Sequence, residues 1–253
     1  GDAAVDPGRG RPVASLLDPL TAQRLEVLER YLDVLLADLA YARFSEAMAV
    51  AYIQFDRAEV RRTLGQVSPL RVLELESVYQ EVLQGRAASE LAQQLTRALL
   101  AQALDRPEAL PRDLVTPARA APRDPLPDLG DLVAAAQDRN PAIARLTAEA
   151  TDADRRLLAL ELRQQIAEVL LRLRALAAAE RRLRTESAYR DLKLDESRTL
   201  YELEAAADLG YSMSQQTMTR LQEARVADCR ALAWAELNAL TGQPVWPDPE
   251  PAP

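Results

Sequence analysis

Apolar residues recur at alternating spacings of three and four from the first third of the chain onward. Leu25, Leu28, Leu32, Leu35, Leu39 and Ala42 fall on one seam, which loosens but continues through Ala49, Ile53 and Val60. That spacing is the heptad signature of a coiled coil. Asp18-Pro19 opens the run as N-cap and first helical residue, and neither Gly nor Pro falls between Leu20 and Leu64. The pattern predicts one helix of about 45 residues, which at 1.5 Å per residue is about 68 Å long. Gly65 is a residue that takes the left-handed C-cap conformation without strain, and Ser68-Pro69 restarts the helix. Stop and restart three residues apart predict an αα-hairpin. The return helix is expected from Pro69 to about Arg106, with its seam at Val72, Leu75, Tyr79 and Val82 and later at Leu91, Leu95 and Leu99. Gly85 inside it costs about 1 kcal/mol relative to Ala and marks a close helix–helix approach.

The second half repeats the plan. Residues 107–130 hold six prolines and end at Gly130, the composition of a linker. A helix is expected to start near Leu129 to Asp131, with a fresh start at Asn140-Pro141. From Ala142 to Leu209 there is again no Gly or Pro, and the seam reads Leu162, Ile166, Val169, Leu173 and Leu176, then less cleanly Leu183 and Leu200. One unbroken helix there would be on the order of 100 Å; the alternative is a turn near 159–163. Gly210 ends the pattern. Helix resumes near Ser212 or Ser214 and runs through Met218, Leu221, Ala231 and Leu240 to Gly242, beyond which Pro244 bars it.

The expected fold is therefore all-α, with two long antiparallel helical hairpins forming an elongated four-helix coiled-coil bundle. Residues 1–17 are a loosely attached lead and 18–106 the first hairpin, with its tip at 64–69. Residues 107–130 link it to the second hairpin, 131–243, with its tip at 209–214, and 244–253 form a proline-rich tail. Both hairpins are expected in one domain, and the duplication is itself an architectural clue.

Composition narrows the chemistry. Aromatic residues make up only 4% of the 253 and the net charge is −8, with arginines interleaved among carboxylates. This mixed-sign surface argues against a nucleic-acid partner. No run of about 18 apolar residues could cross a bilayer, and the segments of about ten alternating residues that a membrane barrel needs are missing. Residues 1–11 are polar and Gly/Pro-rich, unlike a signal peptide, so an exported protein would be the mature form. Cys229 is alone and reads as a small buried hydrophobe. With no histidine, the usual general base and commonest metal ligand are missing. Asp152/Asp154 and Glu74/Glu76 stand two apart and do not share a helix face. Arg155-Arg156 and Arg181-Arg182 read as salt-bridging faces, and Trp234 and Trp246 as packing residues. No phosphate loop, metal-ligand cluster or nucleophile–base set appears. No catalytic, cofactor-binding or metal residue is assigned, and an enzyme is not expected.

Four motifs together resemble the TolC-like outer membrane efflux proteins of tripartite efflux and type I secretion systems. Asp131-Leu132-Val133-Ala134-Ala135-Ala136 with Arg139-Asn140-Pro141-Ala142-Ile143 is similar to that family's repeat opening. Tyr201 through Leu209-Gly210 to Ser214 is similar to its hairpin tip, and Leu237-Asn238-Ala239-Leu240-Thr241-Gly242 to its ending. Arg62-Thr63-Leu64-Gly65-Gln66-Val67-Ser68, followed by Val72-Leu73-Glu74-Leu75-Glu76 spelled Val72 to Glu76 in the chain as V-L-E-L-E, gives a parallel tip in the first half. The resemblance covers most of 20–243.

The resemblance implies a periplasmic helical protein that meets a periplasmic adaptor (membrane fusion) protein through its hairpin tips. Carried over by position, the contact residues are Leu64, Gly65, Gln66, Val67 and Ser68 in the first tip and Leu209, Gly210, Tyr211, Ser212 and Met213 in the second. As plain helix caps, these same residues need no partner. The family also inserts β-strands in each repeat, expected here near 155–165, where Arg155 to Arg163 reads as helix. The reading is then a barrel-less relative, favoured over a trimmed chain by the lack of a Gly/Ser-rich scar. Such a protein would not enter a membrane and would be a monomer or a homotrimer. Two other readings stay open: a coiled-coil scaffold with partners along its helix faces, and a chaperone-like bundle with a ligand groove.

Overall fold

The computed structural model describes residues 16–116, 125–203 and 209–246. Parts of the expected lead (1–15), linker (117–124), second hairpin (204–208) and tail (247–253) lie outside the described residues. The chain is all-α, and its helices are α1 (Pro19–Thr63), α2 (Pro69–Ala103), α3 (Leu129–Arg139), α4 (Pro141–Glu149), α5 (Asp152–Glu202) and α6 (Leu209–Leu240).

The caps explain these boundaries. Asp18 accepts from the amides of Leu20 and Thr21 at 3.1 and 3.0 Å. The Thr21 hydroxyl first, and then these amides, hold its carboxyl below the ordinary aspartate value. Three helices end in the same way, with paired bonds closing the last turn around a left-handed residue. After α1, Gly65 (φ 72°) and Gln66 donate to the carbonyls of Arg62 and Arg61. After α6, Gly242 (φ 71°) and Gln243 donate to Ala239 and Asn238. After α2 the left-handed position is filled by Asp105 (φ 55°), with bonds to Gln102 and Ala101. Asn140 both follows α3 and caps α4, accepting from Ala142 and Ile143.

The long helix expected from Ala142 onward is interrupted at Ala150–Thr151. Residues 159–163, the alternative site for a turn, are helical. The cause of the break is a reciprocal cap: Thr151 N donates to Asp154 Oδ2 while Asp154 N donates to Thr151 Oγ1, both at 3.3 Å. Ala150 is extended, with ψ 147°.

The chain forms two compact units. The first contains residues 1–31, 115–179 and 226–253. Its core joins Leu16, Leu17 and Leu25 to Ile143, to Leu162 through Leu176 of α5, and to Ala233 through Leu240 of α6. Leu16 and Leu17 belong to this core, although the sequence reading placed them in the loose lead. Trp234 and Cys229 pack against the same cluster.

The second unit contains residues 32–114 and 180–225. Here α1 and α2 run antiparallel. Asp38 meets Arg97, Tyr41 meets Arg86, Phe55 stacks on Tyr79, and Ala58 packs with Val72 and Leu75. Each pair straddles Gly65 almost evenly, so that glycine is the pivot of the hairpin. α5 and α6 pair in the same sense through Ser197–Ser212 and Asp191–Arg220. One residue from each of α1, α2, α5 and α6 (Ala47, Val82, Leu194 and Met213) makes a four-helix core.

The seam on α1 shifts within this unit. Ala47, Ala51, Gln54 and Ala58 are buried, whereas Ile53 and Val60 are exposed, as are Ala42 and Ala49. On α2, Leu91 and Leu95 are exposed as well. Small residues won the interior because they let helices approach closely, and the larger ones were turned outward. The close approach read from Gly85 is present: a Cβ there would lie 2.4 Å from a Phe44 ring carbon.

Candidate functional site

The first tip is built as a turn that leaves apolar side chains in water. Leu64 is 65% exposed, and Val60, Leu70 and Leu73 flank it with more than half their surface open. Gly65 and Gln66 are exposed, and a Cβ on Gly65 would meet nothing within 4 Å. Besides Gly65 and Gln66, whose amides close the end of α1, two more of the five residues have structural work. Val67 packs against Ala58, Val72 and Leu75, and Ser68 caps α2 by accepting from Arg71 N at 3.2 Å. Arg61 and Arg62 in the last turn of α1 complement the negative end of its dipole.

The second set of tip residues is placed differently. The expected turn at 209–214 is the first turn and a half of α6, while α5 ends at Glu202. Gly210, Ser212 and Met213 are buried, Leu209 is half-buried, and Tyr211 is half exposed. Gly210 therefore does not serve as a turn glycine. Its amide donates to Gln54 Oε1 of α1 at 2.9 Å, and a Cβ on it would stand 3.0 Å from that oxygen and 3.5 Å from Ala51 Cα. The missing side chain lets α6 begin against α1. Ser197 and Ser212 share a buried hydroxyl–hydroxyl bond of 2.7 Å, and Arg57 donates to the Tyr201 hydroxyl. The structure thus exposes the first tip and packs most of the second inside its own unit.

Two polar groups escaped the sequence reading. Arg172 and Glu236 form a 2.6 Å ion pair in the first unit, with side chains only 13% and 6% exposed. Burial raises the Glu236 carboxyl above the ordinary glutamate value, an effect opposed by Arg172 and reinforced by the charge of Glu29. The signal was a glutamate among apolar neighbours, Ala233 to Leu237. The other is Asn140, read only as a cap. Its amide nitrogen also donates to the carbonyls of Leu16 and Leu240, each at 3.1 Å.

Among the described residues no group of three or more acidic, Cys or His side chains could hold a metal ion, and no helix is long and apolar enough to cross a membrane. The paired carboxylates are used locally: Asp152 by Arg155, Asp154 by Thr151 and Glu74 by Arg71.

No family model matches the chain, and no curated protein matches its sequence. Its fold is shared with solved structures. A membrane protein from Pseudomonas aeruginosa superposes with a TM-score of 0.69 at 14% identity, covering 88% of this chain and 66% of that one. CusC, studied for conformational changes accompanying folding and transmembrane channel formation, gives 0.65 at 12% identity, covering 88% and 68%. The chain spans about two thirds of the length of either. At such identities the likeness is one of fold.

Proposed function

We propose that this protein is a TolC-like helical component of an efflux or secretion assembly that acts by protein–protein contact in the periplasm. Its contact site on this reading is the first hairpin tip, and its partner a periplasmic adaptor protein. The observation that supports the reading best is a turn with exposed Val60, Leu64, Leu70 and Leu73 on a fold shared with a channel-forming protein. Exposed apolar clusters of this kind mark contact surfaces. Leu64, Gly65, Gln66 and Ser68 would meet the partner, with Val67 supporting them. Of the second set only Tyr211 is open enough to take part; Leu209, Gly210, Ser212 and Met213 shape the packing behind it.

Co-purification with a candidate adaptor tests this. Leu64→Ser and Leu73→Ser should lose capture while keeping the helical circular dichroism of the parent, and Gly210→Ala should mainly lower stability. Undiminished capture by both leucine variants would remove the tip reading.

A scaffold reading is supported by a separate observation. Leu91 and Leu95 on α2, and Leu157, Leu160, Leu171 and Leu192 on α5, are exposed along helix faces. Partners bound there would be insensitive to the tip variants and sensitive to Leu91→Ser with Leu95→Ser.

A further inference from the structure

We infer that the first hairpin tip selects an acidic amphipathic helix, a protein segment that presents leucines between carboxylates. This preference rests on the tip being a contact site, and adds to it the chemistry of what is contacted.

Charge is distributed unevenly along the chain. The protein carries 39 Asp and Glu against 31 Lys and Arg. Yet the segment from Val60 to Leu73, which is the tip and the helix turns on either side of it, contains Arg61, Arg62 and Arg71 and no carboxylate. The tip is thus a cationic cap on an acidic protein. Glu59 and Glu74 border the segment, and Arg71 reaches Glu74 at 2.8 Å on an exposed surface, where such a pair exchanges readily with other partners.

The apolar residues of the same segment are spaced for a helix. Val60 on the last turn of α1 and Leu64 in the turn just beyond it stand four apart, and Leu70 and Leu73 stand three apart on α2. Leu70 and Leu73 project from one face of α2, and Leu64 continues past the end of α1 beside Val60. Those faces point away from the interior: Ala58 of α1 and Val72 and Leu75 of α2 are the buried positions next to them. Leucine pairs at three and four spacing are what an incoming helix with its own three–four seam packs against. Arginines beside such a seam favour carboxylates at the flanking positions of the partner and repel lysines there.

An anionic membrane surface would also meet arginines and leucines. It is the less favoured occupant because the apolar side chains are divided between the end of α1, the turn and the start of α2, whereas insertion into a headgroup layer needs one broad apolar face on a single helix.

The test uses the whole chain and three probes. These are a helical peptide with leucines on a three–four seam and glutamates elsewhere, its lysine counterpart, and phosphatidylglycerol vesicles. The glutamate peptide should bind and the lysine peptide should not, with affinity falling as salt rises. Arg61→Glu combined with Arg62→Glu should weaken the glutamate peptide about three- to tenfold and admit the lysine peptide. Leu64→Ser with Leu73→Ser should abolish binding of the glutamate peptide. Equal binding of the two peptides, or of neither, overturns the acidic preference. Retention on the vesicles that depends on the same arginines, or self-association lost in the leucine variant, would assign the tip to lipid or to a second copy instead. Adaptor capture that still depends on Leu64 would leave the tip as a contact site even where the preference fails, so the two can fail separately.

Discussion

Single residues in this protein carry several jobs at once, and their replacement should show it. Asn140 caps α4, and its amide nitrogen ties down the carbonyls of Leu16 and Leu240. Asn140→Ala removes a cap and leaves buried carbonyls unmet, so urea unfolding should show a loss of about 2–4 kcal/mol. Asp105 sits in the left-handed region at a helix end where the other two equivalent positions are glycine. Asp105→Gly should raise stability by about 1 kcal/mol, read as a higher melting temperature. Glu236 is held above the ordinary glutamate value chiefly by burial. The folded protein therefore binds that proton more tightly than the unfolded chain. The favourable contribution is complete below the ordinary value and is lost as pH rises through the raised one. Wild type should gain stability relative to Glu236→Gln as pH falls through that window, measured by urea midpoints. Glu236→Leu alone strands the Arg172 charge and should cost about 3–5 kcal/mol, most of which Arg172→Met should restore.

At the level of helices, the sequence carries the stops better than the faces. Gly65, Ser68-Pro69, Asn140-Pro141 and Gly242 are local signals whose chemistry needs no neighbour, and each marks a helix end as read. The break at Thr151 is equally local, a Thr-x-x-Asp box that contains neither Gly nor Pro. The buried faces were harder to see. Ala47, Ala51 and Ala58 are inside while Ile53 and Val60 are outside, because distance between helices, not hydrophobicity, decides which stripe faces in. A single chain does not state that distance. Gly210 was misplaced for the same reason: its use is closeness to Gln54 and Ala51 of another helix, and from sequence it looked like a turn. Gly85 shows the distance directly. Gly85→Ala gains about 1 kcal/mol of helix propensity but drives a methyl into the Phe44 ring. It should lower stability overall, by about 1 kcal/mol. Phe44→Leu made together with it should recover part of the loss, as a thermal-melt cycle of the four proteins would show.

For the molecule as a whole, the two units differ in what fills them. The first holds a broad cluster of leucines, isoleucines and valines. The second holds two small clusters, among buried Gln54, Ser89, Ser187, Ser197, Ser212, Ser214, Thr217 and Thr219. Hydroxyls that bond locally, as Ser89 does to Arg86 and Thr219 to Gln215, satisfy the backbone but add little apolar burial. Amide hydrogen exchange should therefore be slower in Leu162–Leu176 and Ala233–Leu240 than in Ala47–Ala58 and Ser212–Thr219; equal protection would contradict this account. The nitrogen of Asn140 has one more implication. It reaches both Leu16 and Leu240, each 3.1 Å away, so those two carbonyls stand no more than about 6 Å apart. The path from 16 to 240 closes nearly into a loop. Both ends of that loop are buried in the core of the first unit, so loosening the end of α6 should free the start of α1 as well.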